Sequence, residues 1–133
     1  MTIDLHAETT AVLLLSAVQF HTGQLLDMRL VTAYARERGI VIGWDLAHAV
    51  GNVELKLHDW DVDFAVWCSY KYLNAGPGAT AGAFIHERHA KAETPRLAGW
   101  WGAPVPQRFA LARSESTFSP SQPWEHVLRG MNC

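Results

Sequence analysis

From Ala11 to Val18 the chain reads AVLLLSAV, a stretch of strand length with no polar alternation before Ser16. Such a run fits a strand buried on both faces, as in a parallel sheet covered by helices. Asp27 then offers an N-cap, Leu30, Val31 and Tyr34 recur at helical spacing, and Gly39 supplies the stop, so a helix is predicted over 28–38. Ile40-Val41-Ile42-Gly43-Trp44 reads as a second buried strand. Strand, helix and strand make a β-α-β unit, which predicts parallel pairing through a right-handed crossover. Residues 45–52 are expected as a loop or short helix and 55–60 as a continuing turn. Asp63 to Cys68 reads as a third strand, Gly76-Pro77-Gly78 breaks the chain, and Ala81 to His86 makes a fourth. A short helix carrying Glu87, Arg88, Lys91 and Glu93 is expected next, and from Pro95 onward Gly, Pro and Ser accumulate while periodicity fades.

The fold class this predicts is α/β, with a mainly parallel sheet flanked by helices. At least two of the four strands read as buried on both faces, so the sheet is thin and incomplete. It needs further strands and helices to cover it, which makes a piece of a larger domain the expectation. Composition adds bounds. The chain has 133 residues, 49% of them hydrophobic, with six Trp, five Phe and three Tyr, ample surface for a globular core and too much for disorder. Eleven Lys and Arg against 13 Asp and Glu give a net charge of −2, which argues against a basic nucleic-acid binder. Two cysteines, Cys68 and Cys133, make no disulfide framework, so a reducing compartment is expected. No apolar run reaches the roughly 18 residues of a membrane span. The N-terminal residues lack the charged-then-apolar pattern of a signal peptide. Together these predict a soluble, cytoplasmic segment.

In open α/β sheets, ligands collect at the carboxyl ends of the strands. Ser16 closes the first predicted strand, Asp45 follows the second, and Ser69-Tyr70-Lys71 follow the third. Lys71 sits among aromatic and apolar residues, and a desolvated lysine becomes a usable nucleophile and base near neutral pH. One reading uses all of these groups: Lys71 forms a Schiff base with pyridoxal phosphate while Asp45 keeps the pyridine nitrogen protonated. His48 would line the ring or orient the acid, and the Ser16 and Tyr70 hydroxyls would serve the phosphate or the ring hydroxyl. Each residue also has a plain reading. A lone lysine in a semi-apolar loop usually snorkels, and an aspartate after a strand usually forms a turn or caps a helix. His48 divides evenly between packing and chemistry, and Ser16 is most simply a buried hydroxyl on the backbone. His86-Glu87-Arg88-His89 is one residue short of H-E-x-x-H spacing and offers no third zinc ligand. Asn74-Ala75-Gly76-Pro77-Gly78 lacks the Lys-Ser/Thr of a phosphate-binding loop and reads as a turn. Spacing alone leaves the function open.

Residues 44–90, WDLAHAVGNVELKLHDWDVDFAVWCSYKYLNAGPGATAGAFIHERHA, closely resemble the kynureninase family, fold-type I pyridoxal-phosphate enzymes that cleave L-kynurenine to anthranilate and L-alanine. LLLSAVQFHTGQLLDM at 13–28 and LAGWWG at 97–102 extend the resemblance, which covers about residues 10–113. It implies a partial large domain over 1–113 and a divergent, irregular tail over 114–133. It also implies roles. Lys71 carries the cofactor and moves the α-proton; Asp45 pairs with the pyridinium nitrogen; His48 belongs to the cofactor pocket. Tyr70 bonds the cofactor phosphate and helps deliver protons, Ser16 contacts the cofactor, and Trp100 lines the cofactor and substrate pocket. Trp101 stands where some members have Phe and would shape the aryl pocket. The implied substrate is kynurenine or 3-hydroxykynurenine, and the implied assembly is a homodimer. The alternatives are another fold-type I lyase, such as a cysteine desulfurase relative, and a non-catalytic remnant. Family members are several hundred residues long, so a fragment is expected.

Overall fold

The structure, a computed structural model, describes residues 2–89. Residues 2–86 lie in one compact unit, and the 3-10 turn Glu87–His89 opens a second. Four strands, β1 (Val12–Ser16), β2 (Val41–Asp45), β3 (Phe64–Trp67) and β4 (Gly82–Ile85), form one sheet in the order β1-β2-β3-β4. The first three are parallel, with Val12 opposite Val41 and Gly43 opposite Phe64, and β4 returns antiparallel to β3. The mainly parallel α/β sheet is as the residue pattern predicts. So are the four strands: β1, β3 and β4 are shorter at their ends than predicted, and β2 is shifted by one residue toward Asp45. Before them stand the short helix α1 (Thr2–His6) and a 3-10 turn, Ala7–Thr9.

Helix α2 (Met28–Arg36) begins where Asp27 accepts a hydrogen bond from the Leu30 N–H at 2.9 Å. It ends on Gly39, whose φ of 68° admits the left-handed turn that closes a helix. There the Gly39 N–H bonds the Arg36 carbonyl and the Ile40 N–H the Ala35 carbonyl. The buried stripe differs from the expected one. Leu30 is 64% exposed, and Met28, Thr32 and Ala35 face the core instead. Val31, also of the expected stripe, is partly buried against the core, and the indole of Trp44 reaches Thr32. Thr32 is tolerated there because its hydroxyl accepts the Trp44 Nε1–H at 3.0 Å, satisfying two buried polar groups at once.

One face of the sheet, with Ile42, Trp44, Ala65 and Trp67, is buried with Leu46, Ala49, Leu57 and Val62. The other face carries Val12, Leu14 and Ser16, then Val41, Gly43 and Asp45, then Phe64 and Val66. The expectation that the first strand is buried on both faces is corrected here: Val12 and Leu14 are more than half exposed. β1 is an edge strand with helix cover on one side only, and a continuous apolar run cannot distinguish that from full burial. Phe64 lies flat over Gly43, where a Cβ would come within 2.2 Å of its ring. At the amino end of the sheet, the Asp63 carboxylate accepts the Ile42 N–H at 2.9 Å and ties β2 to the start of β3. Among the described residues no helix is long and apolar enough to cross a membrane.

α1 is clasped to α2 by Asp4, whose carboxylate accepts the Tyr34 hydroxyl and the Arg38 Nε–H. Two outcomes follow. Thr32→Val leaves the buried Trp44 N–H without its acceptor and lowers unfolding stability by about 1–3 kcal/mol, measured by urea titration followed by tryptophan fluorescence. The Asp4 carboxylate raises the Tyr34 pKa above its usual 10.0, with burial adding to it. A raised folded pKa favours the protonated form, so the clasp contributes below pH 10 and is lost as pH rises through the folded value. Spectrophotometric titration is expected to show Tyr34 ionising late, and Asp4→Asn to return it toward 10.0.

Candidate active site

Parallel pairing sets the carboxyl ends of β1, β2 and β3 side by side, with Ser16 opposite Asp45 and Asp45 opposite Val66. The bonds continue past the strands: the Ala17 N–H donates to the Asp45 carbonyl at 3.0 Å and the Leu46 N–H to the Val66 carbonyl at 2.8 Å. The segments leaving the three strands therefore stay together. Ser16 is exposed at the end of β1. Asp45 is half-buried, and its Oδ1 accepts the Ala47 N–H at 2.8 Å. It thus forms the turn after β2, as the plain reading of a post-strand aspartate holds, while standing at the centre of the strand ends.

That turn runs on through residue 52, with the Ala49 and Val50 N–H groups on the Leu46 carbonyl and the Asn52 side-chain amide on the His48 carbonyl at 3.0 Å. Leu46 and Ala49 are fully buried and fix it to the core. His48 is thereby carried to Lys71, with Nε2 and Nζ 2.9 Å apart. The lysine sits in the connection from β3 to β4, which is closed by the Ala75 N–H on the Ser69 carbonyl at 3.0 Å and by the Asn74 N–H on the Lys71 carbonyl at 3.0 Å. The Ser69 hydroxyl donates to the Thr80 carbonyl at 2.6 Å and binds the two limbs of the connection. Tyr70 is exposed, with its ring centroid 5.9 Å from the Lys71 amine.

Lys71 and His48 are thus brought into contact, Tyr70 lies beside the amine, and Ser16 and Asp45 share the strand-end row. Trp100 and Trp101 lie outside the described residues, as do Cys133 and the tail over 114–133. Residue-by-residue reading missed two aromatic neighbours of His48: Phe20, stacked at 6.5 Å, and Tyr72, edge-on at 6.3 Å. Their signal was their place in the post-strand loops that already held Ser16 and Lys71. A separate cleft lined by Leu25, Asp27, Met28, Val53 and Trp60 contains none of the candidate site residues.

A lysine ammonium only donates hydrogen bonds, so while Lys71 is protonated the facing His48 Nε2 accepts and the ring proton sits on Nδ1. Nitrogen-15 NMR is expected to report Nε2 as the unprotonated nitrogen of His48. Lys71→Met removes the donor and is expected to let the Nε2–H tautomer return.

Residues 2–100 match the family described as "Aminotransferase class-V". The chain is 61% identical over 127 residues to the kynureninase of Pyricularia oryzae and 58% identical over 128 residues to kynureninase 1 of Neurospora crassa. These alignments cover 92% and 90% of this chain but only 26% of each relative, so the chain spans about a quarter of the length of the curated relatives it matches. Among solved structures it is similar to the cysteine desulfurase CsdA of Escherichia coli, with a TM-score of 0.66 and 22% identity over 92% of this chain and 30% of that one. It is also similar to alanine–glyoxylate aminotransferase of Nostoc sp., with a TM-score of 0.57 and 30% identity over 65% of this chain and 22% of that one.

Proposed function

Since the chain belongs to the aminotransferase class-V family, whose members use pyridoxal phosphate, we propose that it carries the lysine-bearing part of a kynureninase site. The reaction is hydrolysis of the Cβ–Cγ bond of L-kynurenine or 3-hydroxykynurenine, in which water is consumed and anthranilate or 3-hydroxyanthranilate leaves with L-alanine. The observation that carries this reading is the 61% identity to a kynureninase across the whole strand-end region. The likeness to the cysteine desulfurase, at 22% identity, speaks for the fold alone. A cytoplasmic homodimer completes the proposal.

The residues present fit the cofactor. Lys71 offers an amine for its aldehyde, His48 lies within hydrogen-bond reach of that amine, and Asp45 puts a carboxylate on the neighbouring strand end. Pyridoxal phosphate supplies an aldehyde that binds amines and a ring that accepts an electron pair from the substrate α-carbon. Asp45 would hold a proton on the ring nitrogen and keep the ring electron-poor. The Lys71 amine would take the substrate α-proton and later return one. His48 would line the cofactor pocket beside Lys71. Ser16 and Tyr70 hold the cofactor through their hydroxyls, and Tyr70, beside the amine, also passes protons. Trp100 would line the cofactor and substrate pocket and Trp101 would shape the aryl pocket; both lie outside the described residues.

The test is a hybrid enzyme in which residues 2–100 of this chain replace the matching segment of the Pyricularia oryzae kynureninase. The hybrid is expected to release alanine and anthranilate from L-kynurenine. Borohydride treatment should fix the cofactor on Lys71, and Lys71→Ala should abolish both results. A folded hybrid that fixes the cofactor on Lys71 yet turns over cysteine and leaves kynurenine intact would replace this reading with the desulfurase one.

A further inference from the structure

We propose that Gly51 is the positioning residue that keeps His48 against Lys71, the missing side chain letting the turn after β2 rest on the backbone that follows the lysine. The proposal rests on the assignment of Lys71 as the cofactor-bearing amine. Gly51 has φ of 75°, a conformation an L side chain adopts only with strain. The same is true of Gly23, Gly39, Gly76 and Gly78, but a Cβ at any of those four would meet nothing within 4 Å. A Cβ at Gly51 would lie 3.1 Å from Leu73 Cδ2 and 3.2 Å from both the carbonyl carbon and oxygen of Tyr72. A side chain there is thus opposed by backbone geometry and crowded by its neighbours, which would have to give by a few tenths of an ångström.

What it presses on is backbone one residue beyond Lys71, and backbone does not swing aside as a side chain does. Nor is the loop free to back away, because the Asn74-to-Lys71 and Ala75-to-Ser69 hydrogen bonds close it on itself. On the other side the turn is equally constrained. Its Asn52 amide holds the His48 carbonyl, and the Asn52 and Val53 N–H groups both bond the buried Ala49 carbonyl. His48 and Gly51 are thus two points of one stiff turn that meet two successive residues, Lys71 and Tyr72. A Cβ at Gly51 would push the two turns apart and lengthen the 2.9 Å contact between His48 and the amine.

The experiment compares reductive labelling of two lysines in the full 133-residue chain, using pyridoxal phosphate and cyanoborohydride followed by peptide mapping. The aldehyde condenses with an amine and loses water, and the reductant then delivers hydride to the carbon while solvent protonates the nitrogen. Lys56, exposed and paired with Glu54, is the internal reference. Wild-type chain is expected to label Lys71 well above Lys56, and Gly51→Ala to lower that ratio about tenfold, as small misplacements of reacting groups do. Gly51→Asn tolerates positive φ but keeps a Cβ, and is expected to lower the ratio equally. His48→Ala lowers it as well, and adding Gly51→Ala to that variant changes nothing further.

A wild-type ratio in Gly51→Ala, restoration by Gly51→Asn, multiplicative loss with His48→Ala, or a wild-type ratio in His48→Ala would each overturn the proposal. Circular dichroism confirms the fold of each variant; if Gly51→Ala unfolds, Gly51→Asn carries the double-mutant comparison in its place. Equal labelling of Lys71 and Lys56 in the wild type would fail the lysine assignment itself and take this proposal with it.

Discussion

Parallel pairing of β1, β2 and β3 is the constraint on which the site depends. A parallel pair cannot be closed by a hairpin, so the chain must cross back over the sheet before each new strand. The crossings are α2 and the turns between Asp45 and Asp63, and they consume the sequence at one edge while leaving all three carboxyl ends at the other. Asp45 stands at the centre of that edge. It is paired to Ser16 on one side and Val66 on the other, its carbonyl accepts from Ala17, and its carboxylate accepts from Ala47. Backbone register therefore sets the acid's position before any packing of its side chain. The antiparallel return of β4 adds a second constraint, because Trp67 pairs with Gly82 and pins both ends of the connection that carries Lys71.

Chemistry and packing divide the sheet by face. The face under α2 is dry and held by Trp44, whose single polar atom is satisfied by Thr32. Ser16 and Asp45 belong to the opposite row, behind Val12, Leu14 and Val41. Val12, Leu14, Val41 and Val66 of that row are exposed among the described residues. Ser16 and Asp45 stand at the ends of its strands.

Much of this was readable from the chain. The β-α-β unit, the Asp27 cap and the Gly39 stop are local signals, and each is satisfied by a hydrogen bond or a positive φ close to its own position. The helix stripe was misjudged because periodicity finds apolar spacing, whereas the burial of Thr32 depends on the indole of a residue twelve positions away. Burial of β1 was misjudged for a related reason: AVLLLSAV states what the strand can tolerate, not what covers it. Among the candidate site residues, strand-end logic pointed to Asp45 and Lys71 independently of any resemblance. It could not find Phe20 or Tyr72, whose meaning lies only in where His48 is carried.

A snorkelling side chain and a presented amine make different demands on the neighbours of a lysine such as Lys71. A snorkelling lysine sends its amine to water or to a carboxylate. Here the amine meets an imidazole nitrogen, in a loop closed by its own hydrogen bonds and closely abutted by the turn at Gly51. An imidazole adds no net opposite charge when neutral, so the contact contributes less to stability than a carboxylate would in its place. Its physical character is that of a proton acceptor held at fixed range from an amine. Glycine at position 51 adopts its positive φ without strain, and the two turns hold the imidazole and the amine within hydrogen-bond range. The same logic makes Asp45 a shared element of fold and site: the turn it forms through Ala47 is the one that carries His48 to the lysine.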